Sequence, residues 1–105
     1  MMQTPWGIAQ TQTELRDKDG KLTGIHHVTT SSHGGYFVEK PLYDTMKVKE
    51  TPYSKNGFFE EDCDWAFVAI TFPYAFTPEY IQAAHNTLHH AYNGRYRNFN
   101  QGVTL

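Results

Sequence analysis

Cysteine is almost missing from this chain of 105 residues, in which Cys63 stands alone. A single thiol cannot form an internal disulfide, and it suits a reducing compartment. Long apolar runs are missing too, because the longest one, residues 65–70, is far shorter than the roughly 20 residues that span a bilayer. The first residues contain neither the basic region nor the apolar run of a signal peptide. We therefore expect a cytoplasmic protein without membrane contacts.

Charge of either sign is scarce. The chain has 9 basic and 11 acidic side chains and a formal net charge of -2, so no basic face is available for direct nucleic-acid binding. Hydrophobic residues make up 39% of the chain and aromatic residues 15%, which is enough for a packed core. The length predicts a single domain over residues 1–105, with the polar residues 95–105 as a loosely ordered tail.

Turn signals divide the first half of the chain. Asp19 and Gly20 separate two β-compatible runs, residues 8–15 and 21–30, and this pattern predicts an antiparallel hairpin. Gly34 and Gly35 precede a third strand and predict a bulge or a tight corner. Residues 40–57 are mixed and polar, and they predict a long loop with at most one helical turn at 42–46.

The second half predicts two helices. Acidic residues from Glu60 and a proline at Pro73 favour a helix that runs from about Glu60 to Phe72, although a buried strand over 65–70 is the alternative. Thr77 and Pro78 predict the start of another helix, and Gly94 predicts its end. Together these elements predict an α+β fold, in which two helices pack on one face of a curled antiparallel sheet of three or four strands.

Cys63 is the obvious candidate nucleophile, with His33 as its general base. The acidic neighbours of Cys63 disfavour a thiolate, and free cysteine is among the most buried residue types. The alternative is therefore a structural, protonated thiol.

The carboxylates of Glu60, Glu61, Asp62 and Asp64 form an acidic cluster. They can cap the following helix by accepting backbone N–H hydrogen bonds, or they can meet a basic surface on a partner. A divalent cation is disfavoured there, because consecutive helical residues diverge. His85 and His89 have zinc spacing but lack a third ligand nearby in sequence. We predict no metal site and no cofactor.

The segment Ser32, His33, Gly34 and Gly35 is the most site-like stretch, because small residues let a ligand approach an imidazole closely. The alternative is a structural histidine that braces this corner through an ion pair with Glu61 or Asp62. On the first interpretation, these four residues and the acidic cluster form one binding site.

Three segments together resemble a small uncharacterised protein family of bacteriophages, plasmids and other mobile elements, whose domains also occur within large polyvalent proteins. The segments are Thr-Pro-Trp-Gly at 4–7, Thr-Ser-Ser-His-Gly-Gly at 30–35 and Glu-Glu-Asp-Cys-Asp-Trp-Ala at 60–66. The resemblance covers about residues 4–76. It implies a role in conflict between mobile elements and their bacterial hosts, and it implies no particular reaction.

Three functions follow as hypotheses. The first is an accessory protein that binds a host protein, such as the basic nucleic-acid-binding surface of a defence complex, and inhibits it in the manner of anti-restriction or anti-CRISPR proteins. The second is a small thiol-dependent hydrolase or transferase that uses Cys63 and His33. The third is a structural subunit of a phage assembly.

Overall fold

The fold is α+β, as predicted, with four of its six strands in one main sheet. A computed structural model describes residues 2–100 of the chain, with the side chains of residues 2–92. The strands are β1 Gln3–Thr4, β2 Gly7–Ile8, β3 Thr11–Arg16, β4 Leu22–Thr29, β5 Gly34–Val38 and β6 Phe58–Glu60. The main sheet has four antiparallel strands in the order β3-β4-β5-β6, and β1 and β2 form a separate two-stranded hairpin.

The hairpin of β3 and β4 is confirmed, and its turn follows from local chemistry. The Asp17 carboxylate accepts hydrogen bonds from the backbone N–H groups of Asp19, at 2.8 Å, and Lys21, at 3.0 Å. Gly20 has a φ of 80°, in the left-handed region that glycine adopts without steric cost. Side chain and glycine together fix where the chain reverses.

The core lies between the sheet and the helices. Helix α2 (Trp65–Thr71) packs against β5 and β6, and α3 (Pro78–Asn100) packs against α2. Burial of a side chain such as Phe67 contributes about 1.5–3 kcal/mol. The most buried large side chains are Phe59, Phe67, Ile25, Met46 and Leu88.

The long connection between β5 and β6 is mostly irregular, as predicted. It contains one helical turn, α1 (Lys40–Tyr43), slightly earlier than expected. Met46 and Val48 from this loop are almost fully buried, so the loop covers one end of the core.

Helix α2 is helical rather than extended, which confirms the preferred prediction. Its predicted start is wrong, because Glu60 is the last residue of β6 and the helix begins only at Trp65. The carboxylate of Glu60 instead reaches forward to the backbone N–H groups of the turn before α2. The acidic residues correctly indicate that a helix follows, but they precede it in the chain and do not form its first turn.

Helix α3 begins as predicted: the backbone N–H of Tyr80 donates to Thr77 Oγ1 at 3.3 Å. The helix does not end at Gly94 but continues to Asn100. A glycine costs about 1 kcal/mol in a helix interior and does not by itself end the helix. The predicted loose tail at 95–105 falls on residues whose side chains lie outside the described part of the chain. Within the described part, no helix combines the length and the hydropathy needed to cross a bilayer.

Candidate functional site

A surface recess of about 220 Å³ lies where four segments of the chain meet. The N-terminal hairpin, the turn before β5, the long loop before β6 and the end of β6 with the turn after it all contribute to its wall. We call it the acidic recess, and its lining residues are Trp6, His33, Gly34, Tyr53, Glu60, Glu61 and Asp62. Five of the eight predicted site residues therefore meet at one place: His33, Gly34, Glu60, Glu61 and Asp62.

Trp6 reaches the acidic recess through a tight turn. Thr4 Oγ1 donates to the Gly7 carbonyl at 2.6 Å and accepts from the Trp6 N–H at 3.1 Å. The indole packs edge-on against Phe58, with ring centroids 5.8 Å apart. A Cβ atom on Gly35 would lie 2.7 Å from Trp6 Cη2, so only glycine lets the indole lie on β5. The close approach that the two glycines predict is therefore made by the Trp6 side chain, which packs on the buried Gly35.

The turn before β5 is organised by a buried threonine. The Thr30 hydroxyl donates to the His33 carbonyl at 2.7 Å and accepts from the N–H groups of Ser32 and His33. Ser32 is exposed, and its hydroxyl donates to the Trp6 carbonyl at 3.5 Å. His33 is exposed at the rim of the acidic recess.

The ion pair that we considered between His33 and Glu61 or Asp62 is not among the ion pairs of residues 2–92. Glu61 instead lies over the glycine turn, where a Cβ on Gly34 would be 2.6 Å from Glu61 Oε2. The imidazole and these carboxylates are therefore separate groups on the same wall.

The three recess carboxylates have different roles. Glu60 Oε1 accepts the N–H groups of Cys63, at 2.7 Å, and Asp64, at 2.8 Å, and Oε2 accepts the N–H of Asp62 at 2.6 Å. One acidic side chain thus accepts backbone N–H groups, as predicted, although the donors belong to the turn at 62–64 and helix α2 itself has no side-chain cap. Glu61 and Asp62 are exposed, and no lysine or arginine among residues 2–92 forms an ion pair with them.

Asp64 does not belong to the acidic recess, which corrects its place in the predicted site. It is fully buried, and its carboxylate accepts hydrogen bonds from three hydroxyl groups. Thr51 and Ser54 donate to Oδ2, the latter at 2.5 Å, and Tyr92 donates to Oδ1. Because these donors come from the loop before β6 and from α3, Asp64 joins the two to the start of α2. It is not accessible to a partner.

A comparison with known families assigns the chain to one of them. Residues 1–104 match the family described as a domain of unknown function (DUF7007). The chain belongs to this family. The searches of curated proteins and of solved structures found no match to the chain.

In this DUF7007 domain, Cys63 lacks the surroundings of an activated nucleophile. Its pKa is raised, first by burial and then by the carboxylates of Glu60, Asp64 and Asp62. Cys63 does not line the acidic recess, and no hydrogen bond among the described residues joins it to His33. A thiol with a raised pKa is mostly protonated at neutral pH and is a poor nucleophile.

Two residues in the wall of the recess of this DUF7007 domain, Trp6 and Tyr53, were not predicted from the sequence to be site residues. Trp6 belongs to the Thr-Pro-Trp-Gly segment, whose glycine, with a φ of 123°, signals a special turn. Tyr53 is 69% exposed and lies in the long loop, where no pattern distinguishes it. Only the fold brings both rings to the carboxylates.

Proposed function

We propose that this domain is a binding module that accepts a lysine or arginine side chain of a partner protein in the acidic recess. The observation that carries the proposal is the combination of two aromatic rings, Trp6 and Tyr53, with the exposed carboxylates of Glu61 and Asp62 around one recess. Carboxylates attract a cation, and an aromatic face adds about 0.5–2 kcal/mol when the cation lies over it.

The size of the recess favours a side chain over a metabolite. Small-molecule sites have volumes of about 300–1,000 Å³ and are mainly apolar. The acidic recess is smaller, at about 220 Å³, and is open to solvent. Its exposed tyrosine is typical of protein interfaces, in which aromatic residues are enriched.

The binding test uses acetyl-arginine amide as the probe and acetyl-citrulline amide, which has the same shape without the charge, as its control. We expect arginine to bind about tenfold more tightly, equivalent to about 1.4 kcal/mol. Chemical shifts should change at the Trp6 indole and at residues 33, 34 and 60–62, and added salt should weaken binding. Equal affinity for citrulline would contradict the proposal.

Charge reversal tests the same site. Glu61→Lys with Asp62→Lys should abolish arginine binding and leave the fold intact, because both side chains are exposed. The matched control is Asp19→Lys with Glu50→Lys, which changes the net charge equally at exposed positions elsewhere. Glu60 and Asp64 are spared, since their carboxylates hold the backbone and the core. Arginine binding that survives in the recess variant would refute this assignment.

As a finer proposal, the recess serves a mobile-element accessory protein that inhibits a bacterial defence system by occupying a basic surface of it. The resemblance of the three segments supports this role, since all three meet at the acidic recess. In cells that carry a restriction or CRISPR system, expression of the domain should restore phage plating. The Glu61→Lys and Asp62→Lys variant should not, whereas the control variant should.

A further inference from the structure

A second cluster of ligating side chains lies on the sheet, away from the acidic recess. The strand register places Glu14 of β3 opposite His26 of β4, and His26 opposite Phe37 of β5. Glu39 follows Phe37 by two residues, so it projects from the same face. His26 Nε2 lies 2.7 Å from Glu39 Oε2 and 4.0 Å from Glu14 Oε1. One ligand atom from each side chain lies within 4.8 Å of the other two.

The Glu14 side chain is held by a further contact. The backbone N–H of Gly24 donates to Glu14 Oε2 at 2.9 Å, which leaves Oε1 directed at His26. Gly24 has a φ of 84°, and a Cβ there would lie 3.6 Å from the Glu39 carboxyl carbon and 3.1 Å from Leu42 Cδ1. Glycine suits this position because of its φ and because Leu42 lies close, and it presents the N–H that holds Glu14.

The His26 imidazole is also held in position by its neighbours. His26 Nδ1 lies 3.3 Å from the side-chain amide of Gln12, and its ring packs against Phe37 at a centroid distance of 5.9 Å. Nε2 therefore faces the carboxylates. Histidines that bind metals almost always donate the N–H of the second ring nitrogen to an acceptor, and the Gln12 side chain can offer its amide oxygen to Nδ1 when the amide turns.

The charges also suit a cation. The exposed fractions of the side chains are 12% for His26, 24% for Glu14 and 46% for Glu39, so the imidazole and the Glu14 carboxylate are largely withdrawn from water and Glu39 closes the cluster from the solvent side. Among residues 2–92, His26 is the sole basic partner of both. Two carboxylates and one neutral imidazole balance a divalent ion.

We propose that Glu14, His26 and Glu39 bind a divalent transition-metal cation such as Zn²⁺. Imidazole suits zinc and related ions, whereas Mg²⁺ and Ca²⁺ prefer oxygen ligands alone. Binding replaces the hydrogen bond from Nε2 to Glu39 with a metal–nitrogen bond. The ring proton moves to Nδ1, and the Gln12 amide turns to accept it. Three protein ligands leave a coordination position for water or for a donor from a partner.

This cluster could not be predicted from the sequence, because its residues lie on separate segments of the chain. The only metal ligands that local patterns offered were the acidic cluster and the spacing of His85 and His89. No local spacing joins Glu14, His26 and Glu39, and only the register of β3, β4 and the end of β5 brings them together.

Zinc titration of the full chain, followed by calorimetry, tests the proposal. We expect one Zn²⁺ per chain, with affinity at least tenfold lower in Glu14→Gln and in His26→Ala, and unaffected by excess Mg²⁺. Glu14→Gln retains an acceptor for the Gly24 N–H, so loss of zinc binding there is not a folding effect. Zinc should also raise the melting temperature of the wild type but not that of His26→Ala.

The control variants are His33→Ala and His89→Ala, which remove exposed histidines at the acidic recess and on α3. Both should bind zinc as the wild type does. Failure of the wild type to bind Zn²⁺ at about 1 mM would overturn the proposal. Binding that is lost in His89→Ala but kept in His26→Ala and Glu14→Gln would overturn it too. Arginine binding at the acidic recess involves other residues, so either proposal can fail alone.

Discussion

Two aspartates separated by one residue show how strongly position decides the role of a side chain. Asp62 is exposed at the acidic recess, whereas Asp64 is fully buried and accepts hydrogen bonds from three hydroxyl groups. Both belong to the same acidic stretch, so the sequence alone does not predict which of the two is buried. The distinction comes from Ser54 and Tyr92, which lie far from Asp64 along the chain and reach it only in the fold.

Asp64→Asn should lower the free energy of unfolding by about 1–3 kcal/mol, because the new amide group faces hydroxyl donors and leaves them unsatisfied. Asp62→Asn, the matched control, should change it by less than about 0.5 kcal/mol. Urea unfolding followed by circular dichroism measures both values. Equal stability of the two variants would show that the buried network does not hold the fold together.

Cys63 should react slowly with iodoacetamide at neutral pH. Burial and the neighbouring carboxylates raise the pKa of its thiol, so little thiolate is available. The native alkylation rate should lie below that of the same chain unfolded in urea, which is the internal control. A native rate above the unfolded rate would instead favour the thiol-dependent enzyme hypothesis.

At the scale of elements, local chemistry predicted turns and helix identities better than it predicted boundaries. The turn at Asp19 and Gly20 could be predicted because the residues that form it, the Asp17 carboxylate and the left-handed Gly20, are neighbours in the sequence. The start of α2 could not, because Glu60 belongs to β6 and its carboxylate holds the turn between β6 and the helix. Strand β6 is only three residues long, and its sequence, Phe-Phe-Glu, does not alternate apolar and polar residues. It is a strand because it pairs with β5.

Gly35 tests the contact between the N-terminal hairpin and the sheet. In Gly35→Ala, the new Cβ would lie 2.2 Å from the Phe59 carbonyl oxygen and 2.7 Å from Trp6. Overpacking of this kind costs about 1–3 kcal/mol. Thermal unfolding should therefore occur at lower temperature than in the wild type. Ser32→Ala, on the exposed turn before it, should cost less than about 0.5 kcal/mol, and equal melting temperatures for the two would contradict this account.

At the scale of the whole molecule, the acidic recess and the proposed metal site share one property: the residues of each come from separate segments of the sequence. His33, Glu61 and Asp62 could be selected from the sequence because glycines and acidic residues mark them locally. Trp6 and Tyr53 could not be assigned to the same wall, since the assignment needs the packing of the hairpin and the loop on β5 and β6. The α+β class depends on patterns within elements and could be predicted.

Tyr92 makes the stability of the whole domain sensitive to alkaline pH. Burial and the hydrogen bond to Asp64 raise the pKa of its phenol well above the usual value of about 10. A group whose pKa is raised by folding stabilises the fold fully below its unfolded pKa, and this stabilisation disappears as the pH rises towards the folded pKa. The free energy of unfolding should therefore fall above about pH 10, and less steeply in Tyr92→Phe. Tyr53→Phe, at an exposed position, should keep the wild-type slope; a wild-type slope in Tyr92→Phe would contradict this assignment.

The positions of the two tryptophans give the domain an optical reporter. Trp6 forms a wall of the acidic recess, whereas Trp65 lies on α2 with its ring 6.1 Å from Tyr80. Replacement of Trp65 by phenylalanine would leave one indole emitter, placed where a bound cation would displace water from its face. The emission of that single indole would then report occupancy of the recess directly, without a label and on the timescale of a stopped-flow mixing experiment.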